Sequence, residues 1–294
     1  MFVDAIEGAV QYTRAIHSIS RVWGSTTVVP GTASLFLVNA DGWALTCKHV
    51  ANQLAVADQL LAKFTAFKTE RTQLPDGKKR RKQIRGLEHK YGYSNGVPVE
   101  MYNNFVNCVE GPLQLQAHLH PSLDVALLKF SNYTKLGVTR FPVFAQQGDG
   151  LKQGKFICRL GFPFPEFTNF EYEGSTDLIR WTNTGRSDTP RFPIEGLVTR
   201  HVIGPNGIVG FELSTPGLRG QSGGPAFDLE GRVWGMQAAT NHLDLDFDVD
   251  VDVLRNGQKR HVRDSAFLHV GRCIHVDVLK EFMRDKGVGF QEAA

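Results

Sequence analysis

Short β-prone runs, each closed off by Gly, Pro, Asn or Asp, recur along this chain after about residue 24, and no other feature limits its fold so strongly. Ser34–Val38 and Trp43–Cys47 flank Asn39-Ala40-Asp41-Gly42, which reads as a hairpin. Leu113–His118, Val125–Phe130, Lys155–Gly161, Gly196–Val202, Ile208–Leu213, Ala226–Leu229 and Val233–Ala239 continue the series. Strands this short and frequent build barrels or a sandwich, because a parallel sheet needs helical crossovers between its strands. With 294 residues, 41% of them hydrophobic, the chain has material for one large core or two modest ones.

Helical patterning is confined to the ends. Phe2, Val3, Ile6, Val10, Ile16 and Ile19 recur at roughly helical spacing, which predicts an amphipathic helix over residues 1–23. Val278, Leu279, Phe282 and Met283 share one face before Gly287, which predicts a closing helix. Residues 136–150 carry fewer strand signals and read as a linker. The expected order is therefore the helix, a β unit over 24–135, the linker, and a second β unit over 151–294. Two stretches read as insertions: 60–110, with the basic turn Pro75–Lys82, and 165–193, a long loop rich in Phe, Pro, Thr and Asn.

A net charge of +3 argues neither for nor against nucleic acid, and Lys78–Lys82 reads as a solvated tip, so no nucleic-acid partner is expected. No apolar run approaches the ~20 residues that span a bilayer. Asp4 and Glu7 interrupt the first residues, so a secretory leader is not expected, and Cys47, Cys108, Cys158 and Cys273 read as free thiols in the cytoplasm. Their spacing holds no zinc pattern, and His118 with His120 offers only two ligands, so no metal and no cofactor are expected.

Three segments can carry chemistry. Gly220-Gln221-Ser222-Gly223-Gly224-Pro225 sets a serine between glycines, which let the backbone turn sharply and approach a substrate carbonyl. The N–H groups of Gly220 and Ser222 are the candidate oxyanion donors. His49 follows the strand at Trp43–Cys47, where a general base is held firmly, and Asp124 precedes another strand, where a carboxylate can orient an imidazole. Each segment alone has a bland reading as a turn, a surface histidine or a strand cap. The order His49, Asp124, Ser222 matches the chymotrypsin template; an α/β-hydrolase would need serine first, with His269 or His275 after it.

Together, GTASLFLVNADGWALTCKHVA, HPSLDVALLKF and PGLRGQSGGPAFDLEGRVWGM resemble the trypsin-like serine proteases, and more narrowly the HtrA/Deg type of protease domain. LGFPFPE, EGLVTRHV and AFLHVGRCIHVDVLKEFMRDKG resemble later segments of the same domain. The resemblance implies an all-β fold of two six-stranded antiparallel barrels with the triad at their junction. It makes His49 the base, Asp124 its orienter and Ser222 the nucleophile. Gln221 stands where many secreted relatives have an aspartate that pairs with a freed N-terminus, and Ser34-Leu35 departs from a glycine-rich pattern. No regulatory PDZ domain is expected after residue 287.

The expected activity is therefore a serine endopeptidase that acts on polypeptides through an acyl-enzyme, restrained by a protein partner or by the 165–193 loop. A catalytically silent scaffold and an esterase on the same triad are the alternatives. Pro216, Leu218, Gln237, Ala238, Ala239 and Thr240 should line the substrate pocket. They include no acid, which favours a small or medium apolar P1 side chain, unless Asp264 reaches the pocket. Asp244, Asp246, Asp248, Asp250 and Asp252 alternate along a strand expected to fold back at Asn256-Gly257 onto the basic segment Lys259–Arg263.

Overall fold

The computed structural model describes residues 1–205 and 207–293 and is built mainly of antiparallel strands. The N-terminal half contributes β1 (Thr13–Val22), β2 (Val29–Leu37), β3 (Trp43–Thr46), β4 (Pro98–Phe105), β5 (Val109–Glu110), β6 (Gln114–Leu119), β7 (Ala126–Ser131) and β8 (Lys135–Leu136). Six of these form one sheet in the order β4-β1-β2-β3-β7-β6, and β5 pairs with β8. The C-terminal half adds β9 (Val143–Phe144), β10 (Phe156–Gly161), β11 (Phe170–Glu173), β12 (Leu178–Trp181), β13 (Phe192–Gly204), β14 (Gly207–Leu213), β15 (Pro225–Phe227), β16 (Arg232–Arg255), β17 (Gln258–His275) and β18 (Gln291–Glu292). Its main sheet has eight strands in the order β15-β10-β13-β14-β17-β16-β9-β18, with β15 also paired to β16. The first sheet has six strands with no pairing between its edge strands β4 and β6 among the described residues, and the second has eight, including the parallel additions β9 and β18.

A single core joins the two sheets. Leu35, Phe36, Leu37 and Leu45 from the first meet Phe144, Ile157, Leu160 and Phe227 from the second, all fully or almost fully buried. The closing helix α4 (Val276–Asp285) seals it with Val278, Leu279, Phe282 and Met283, and ends at Gly287, whose φ of +67° accommodates the reversal.

The N-terminal expectation needs correction. Helix α1 covers only Val3–Val10, and residues 13–22 form strand β1. Its inward positions are Thr13, Ala15, His17, Ile19 and Arg21, a period of two hidden from the sequence by two ionisable side chains on the buried face. Both have partners. His17 stacks on Phe167 and its Nε2 lies 2.8 Å from Thr189 Oγ1, while Arg21 pairs with buried Glu100 at 2.5 Å.

The two insertions are ordered elements. Residues 48–91 form a helical hairpin, α2 (Lys48–Thr72) and α3 (Arg80–Tyr91), with the basic run at its exposed tip. Phe64, Phe67 and Leu87 pack with Tyr93 and Val99 into a second core edged by Trp23. The expected 165–193 loop contains the β11–β12 hairpin, fastened to the body where Glu100 accepts the Ile179 N–H at 3.1 Å and Arg21 meets Asp177 at 3.1 Å.

Beyond Thr240, β16 and β17 leave the body as a two-stranded arm closed by Asn256-Gly257, both in the left-handed region. The acidic strand faces the basic one as expected: Asp248 pairs with Arg263 at 3.2 Å, Asp250 with His261 at 2.9 Å, and Asp252 with Lys259 at 2.6 Å. A register shift between Asp244 and Asp248 breaks the run of carboxylates on one face. Asp264 pairs with Val249 far out on the arm, so it does not reach the pocket.

Candidate functional site

His49 is the second residue of α2, placed where β3 ends and the helix begins. Asp124 lies in the turn between β6 and β7, and β7 is the partner of β3, so the ladder brings the two together. The His49 ring Nδ1 is 2.7 Å from Asp124 Oδ2, and the His49 backbone N–H donates to Oδ1 at 2.9 Å. Two contacts from one residue fix both the position and the tilt of the imidazole. Partial burial works to raise the Asp124 pKa, but these hydrogen bonds outweigh it and hold the carboxyl below its ordinary value. Asp124 is thus ionised at neutral pH, and it favours the tautomer with the proton on Nδ1, leaving Nε2 free as a base.

Cys47 offers a third donor atom beside them, within 4.8 Å. Burial pushes its thiol well above the ordinary range, and its S–H donates to the Gln237 carbonyl at 3.3 Å. A neutral thiol already engaged in this way does not suit a metal, which binds the thiolate.

Ser222 sits on the loop before β15, held by backbone contacts from both sheets. The Ser34 N–H donates to the Ser222 carbonyl at 3.0 Å, and the Gly223 N–H to the Gln237 carbonyl at 2.9 Å. Gly223, at φ +88°, lies so close to β2 that a Cβ there would stand 2.1 Å from the Ser34 carbonyl. Gly220 has φ +97°. The N–H groups of Gly220 and Ser222 find no backbone acceptor among the described residues, which leaves both donors available. Gln221 is buried and makes two neutral hydrogen bonds. It accepts from the Leu218 N–H at 3.0 Å and donates to the Phe192 carbonyl at 3.0 Å.

His49 and Ser222 line one cleft of about 460 Å³, together with Pro30, Thr32, Arg219 and Gly220. The Ser222 hydroxyl, however, donates to the Ala238 carbonyl at 3.3 Å, and among the described residues no hydrogen bond joins it to His49. The segments expected to wall the substrate pocket are in contact: Thr240 Oγ1 donates to the Gly217 carbonyl at 2.7 Å, and a Cβ on Gly217 would stand 2.1 Å from Gln237 Nε2. Pro216 and Leu218 are partly buried on one side, Gln237 and Ala238 buried on the other, and Ala239 is exposed.

Two residues of this neighbourhood escaped the sequence reading. Ser34 is fully buried, and its hydroxyl donates to the Gly220 carbonyl at 2.7 Å while accepting from the Phe162 N–H at 3.2 Å. Arg159, on β10, is fully buried behind the pocket and reaches Gln237, Thr215 and Pro216. The departure at Ser34 was visible in the sequence; nothing local distinguishes Arg159.

A family model described as a trypsin-like peptidase domain matches residues 31–236. No functionally curated protein matches the chain in sequence. Among solved structures, the HtrA-type protease AlgW with a tripeptide is 13% identical and superposes at a TM-score of 0.50, covering 97% of this chain and 63% of AlgW. The same protease with a decapeptide gives 12% identity and a TM-score of 0.50 over 97% and 67%. The active form of the Rv3671c protease from M. tuberculosis is 14% identical, with a TM-score of 0.47 over 99% and 86%. This chain therefore spans less than two thirds of the first of these proteases and shares its chymotrypsin-like fold. Among the described residues no helix is long and apolar enough to cross a membrane.

Proposed function

This chain belongs to the trypsin-like peptidase family, and on that premise we propose that it is a serine endopeptidase whose nucleophile is Ser222. The two sheets then correspond to the two six-stranded barrels of the fold, with the catalytic cleft between them. Ser222 Oγ attacks the scissile carbonyl as its proton passes to His49 Nε2, and the new C–O bond turns the carbonyl oxygen into an oxyanion. The Gly220 and Ser222 N–H groups receive that charge. Collapse breaks the C–N bond, His49 returns the proton to the leaving amine, and an acyl-enzyme remains. Water, deprotonated by the same imidazole, then releases the second product. Asp124 holds the ring in the working tautomer throughout.

The observation that carries this reading is the 2.7 Å Asp124–His49 pair opening onto the cleft that Ser222 also lines. The hydroxyl on Ala238 and the touching pocket walls support a resting state that a partner protein or the 165–193 segment converts, since Pro163 and Pro165 at the root of that segment edge the cleft. They also give the silent-scaffold alternative its one concrete support. Four buried free thiols suit a reducing compartment such as the cytoplasm. No nucleic acid or cofactor enters the scheme, and an esterase on the same triad would cleave esters while sparing peptides.

A fluorophosphonate probe separates the readings. Covalent labelling that Ser222→Ala abolishes, with release of fragments from a peptide library, is the expected result. A folded protein that stays unlabelled, with and without lysate partners, would refute the endopeptidase.

A further inference from the structure

Behind the segments expected to wall the substrate pocket lies a fully buried positive charge, Arg159, with no carboxylate bonded to it among the described residues. Arg159 Nη1 donates to Gln237 Oε1 at 2.8 Å, and Nη2 to the Thr215 carbonyl at 3.0 Å, to Thr215 Oγ1 at 2.6 Å and to the Pro216 carbonyl at 3.1 Å. Every one of these acceptors is neutral, and Nε has no partner among the described residues. The ionisable neighbours that act on the guanidinium are the Cys273 and Cys158 thiols. Burial pushes both up to about 12, so they carry no charge at neutral pH. Burial also lowers the Arg159 pKa, but a guanidinium starts so high that it stays protonated.

An unpaired buried cation is costly, and a fold keeps one only where something repays it. The packing makes room for this one. A Cβ on Gly271 would lie 1.9 Å from Nη1, so β17 has a glycine where any side chain would evict the guanidinium. Its acceptors are the pocket's own walls: Thr215 and Pro216 precede the Ser222 loop, and Gln237 is the residue before Ala238, whose carbonyl receives the Ser222 hydroxyl. The charge therefore lies directly behind the segments that would wall a P1 slot beside Ser222.

We propose that this pocket selects an acidic P1 residue, glutamate or aspartate, whose carboxylate displaces the Gln237 carbonyl from Arg159 and neutralises the buried guanidinium. The proposal rests on the peptidase reading and replaces the apolar P1 expected from the lining segments alone. The same exchange opens the pocket, because Gln237 is the side chain against which Gly217 closes. An acidic substrate thus contributes to its own admission.

Peptides identical except for Glu, Asp, Gln, Leu or Arg at P1 test this. Glu or Asp should exceed isosteric Gln by at least about tenfold in kcat/KM, the worth of one charge-assisted hydrogen bond. Arg159→Lys should keep a preference for acid, and Arg159→Met should erase it while Ser222 still takes the fluorophosphonate. Equal cleavage after Gln or Leu would overturn the pocket and leave the peptidase standing. If no peptide is cleaved, binding to Ser222→Ala of N-acetyl peptides ending in Glu or Gln decides the pocket separately. At least about tenfold tighter binding of the Glu peptide sustains it, and equal binding overturns it.

Discussion

Ser34→Ala removes one oxygen from the place where the two sheets meet. That hydroxyl satisfies two backbone groups, the Gly220 carbonyl at 2.7 Å and the Phe162 N–H at 3.2 Å, in a position with no solvent exposure. Alanine fits the same space and the backbone bond to Ser222 remains, so the loss is confined to the two stranded groups. At about 1–2 kcal/mol for each, the variant should be roughly 2–4 kcal/mol less stable. That is a large share of the ~5–15 kcal/mol a domain commands. In urea the midpoint should fall by roughly 1 M with an unchanged slope. The same oxygen holds the peptide that leaves Gly220, so the oxyanion donors should lose their set. The rate of fluorophosphonate labelling at Ser222 should then drop at least about tenfold. A midpoint within about 0.2 M of the native protein, with labelling at the native rate, would refute the assignment of Ser34 as the positioning residue of this loop.

His17 provides a pH test. Burial lowers its pKa from 6.5 to about 4, so the unfolded chain binds its proton first as pH falls. Stability should therefore be unaffected above about pH 6.5 and decline by up to about 3 kcal/mol as pH drops towards 4. In His17→Phe that part of the decline should vanish from urea titrations; an unchanged profile would count against it. Glu100→Ala leaves the Arg21 guanidinium buried with only Asp177 beside it, and should cost about 3 kcal/mol in thermal or urea unfolding. The variant should also expose the β11–β12 hairpin to limited proteolysis, and native resistance there would refute its anchoring role.

The parts of the chain that chemistry ties to local backbone were readable in advance. A serine between glycines, a histidine at a strand end and an acid at another leave short signatures in Gly220–Pro225, Cys47–Val50 and Leu123–Leu128, and the structure pairs His49 with Asp124 beside the cleft that Ser222 lines. The hairpin at Asn256-Gly257 was readable for the same reason. What was missed is what only tertiary packing decides. Strand β1 looked helical because Ile16 and Ile19 fit both periods, and its alternation was disguised by His17 and Arg21, which find partners in Thr189 and Glu100 far along the chain. The α2–α3 hairpin draws its apolar partners Trp23, Tyr93 and Val99 from outside itself. Arg159 looked like any charged residue in a strand, and it matters only because β17 supplies a glycine opposite it.

The arm has a mechanical consequence. Its two strands are the same strands that carry Gln237, Thr240 and Gly271, uninterrupted by any loop. Fifteen residues at about 3.3 Å each make a beam of roughly 50 Å, with its fulcrum at the wall of the slot. A load placed near Asn256 would therefore act as torque on Thr240 and Gly217, and among the described residues the bulge after Asp244 is the one break in the ladder between Asn241 and the turn.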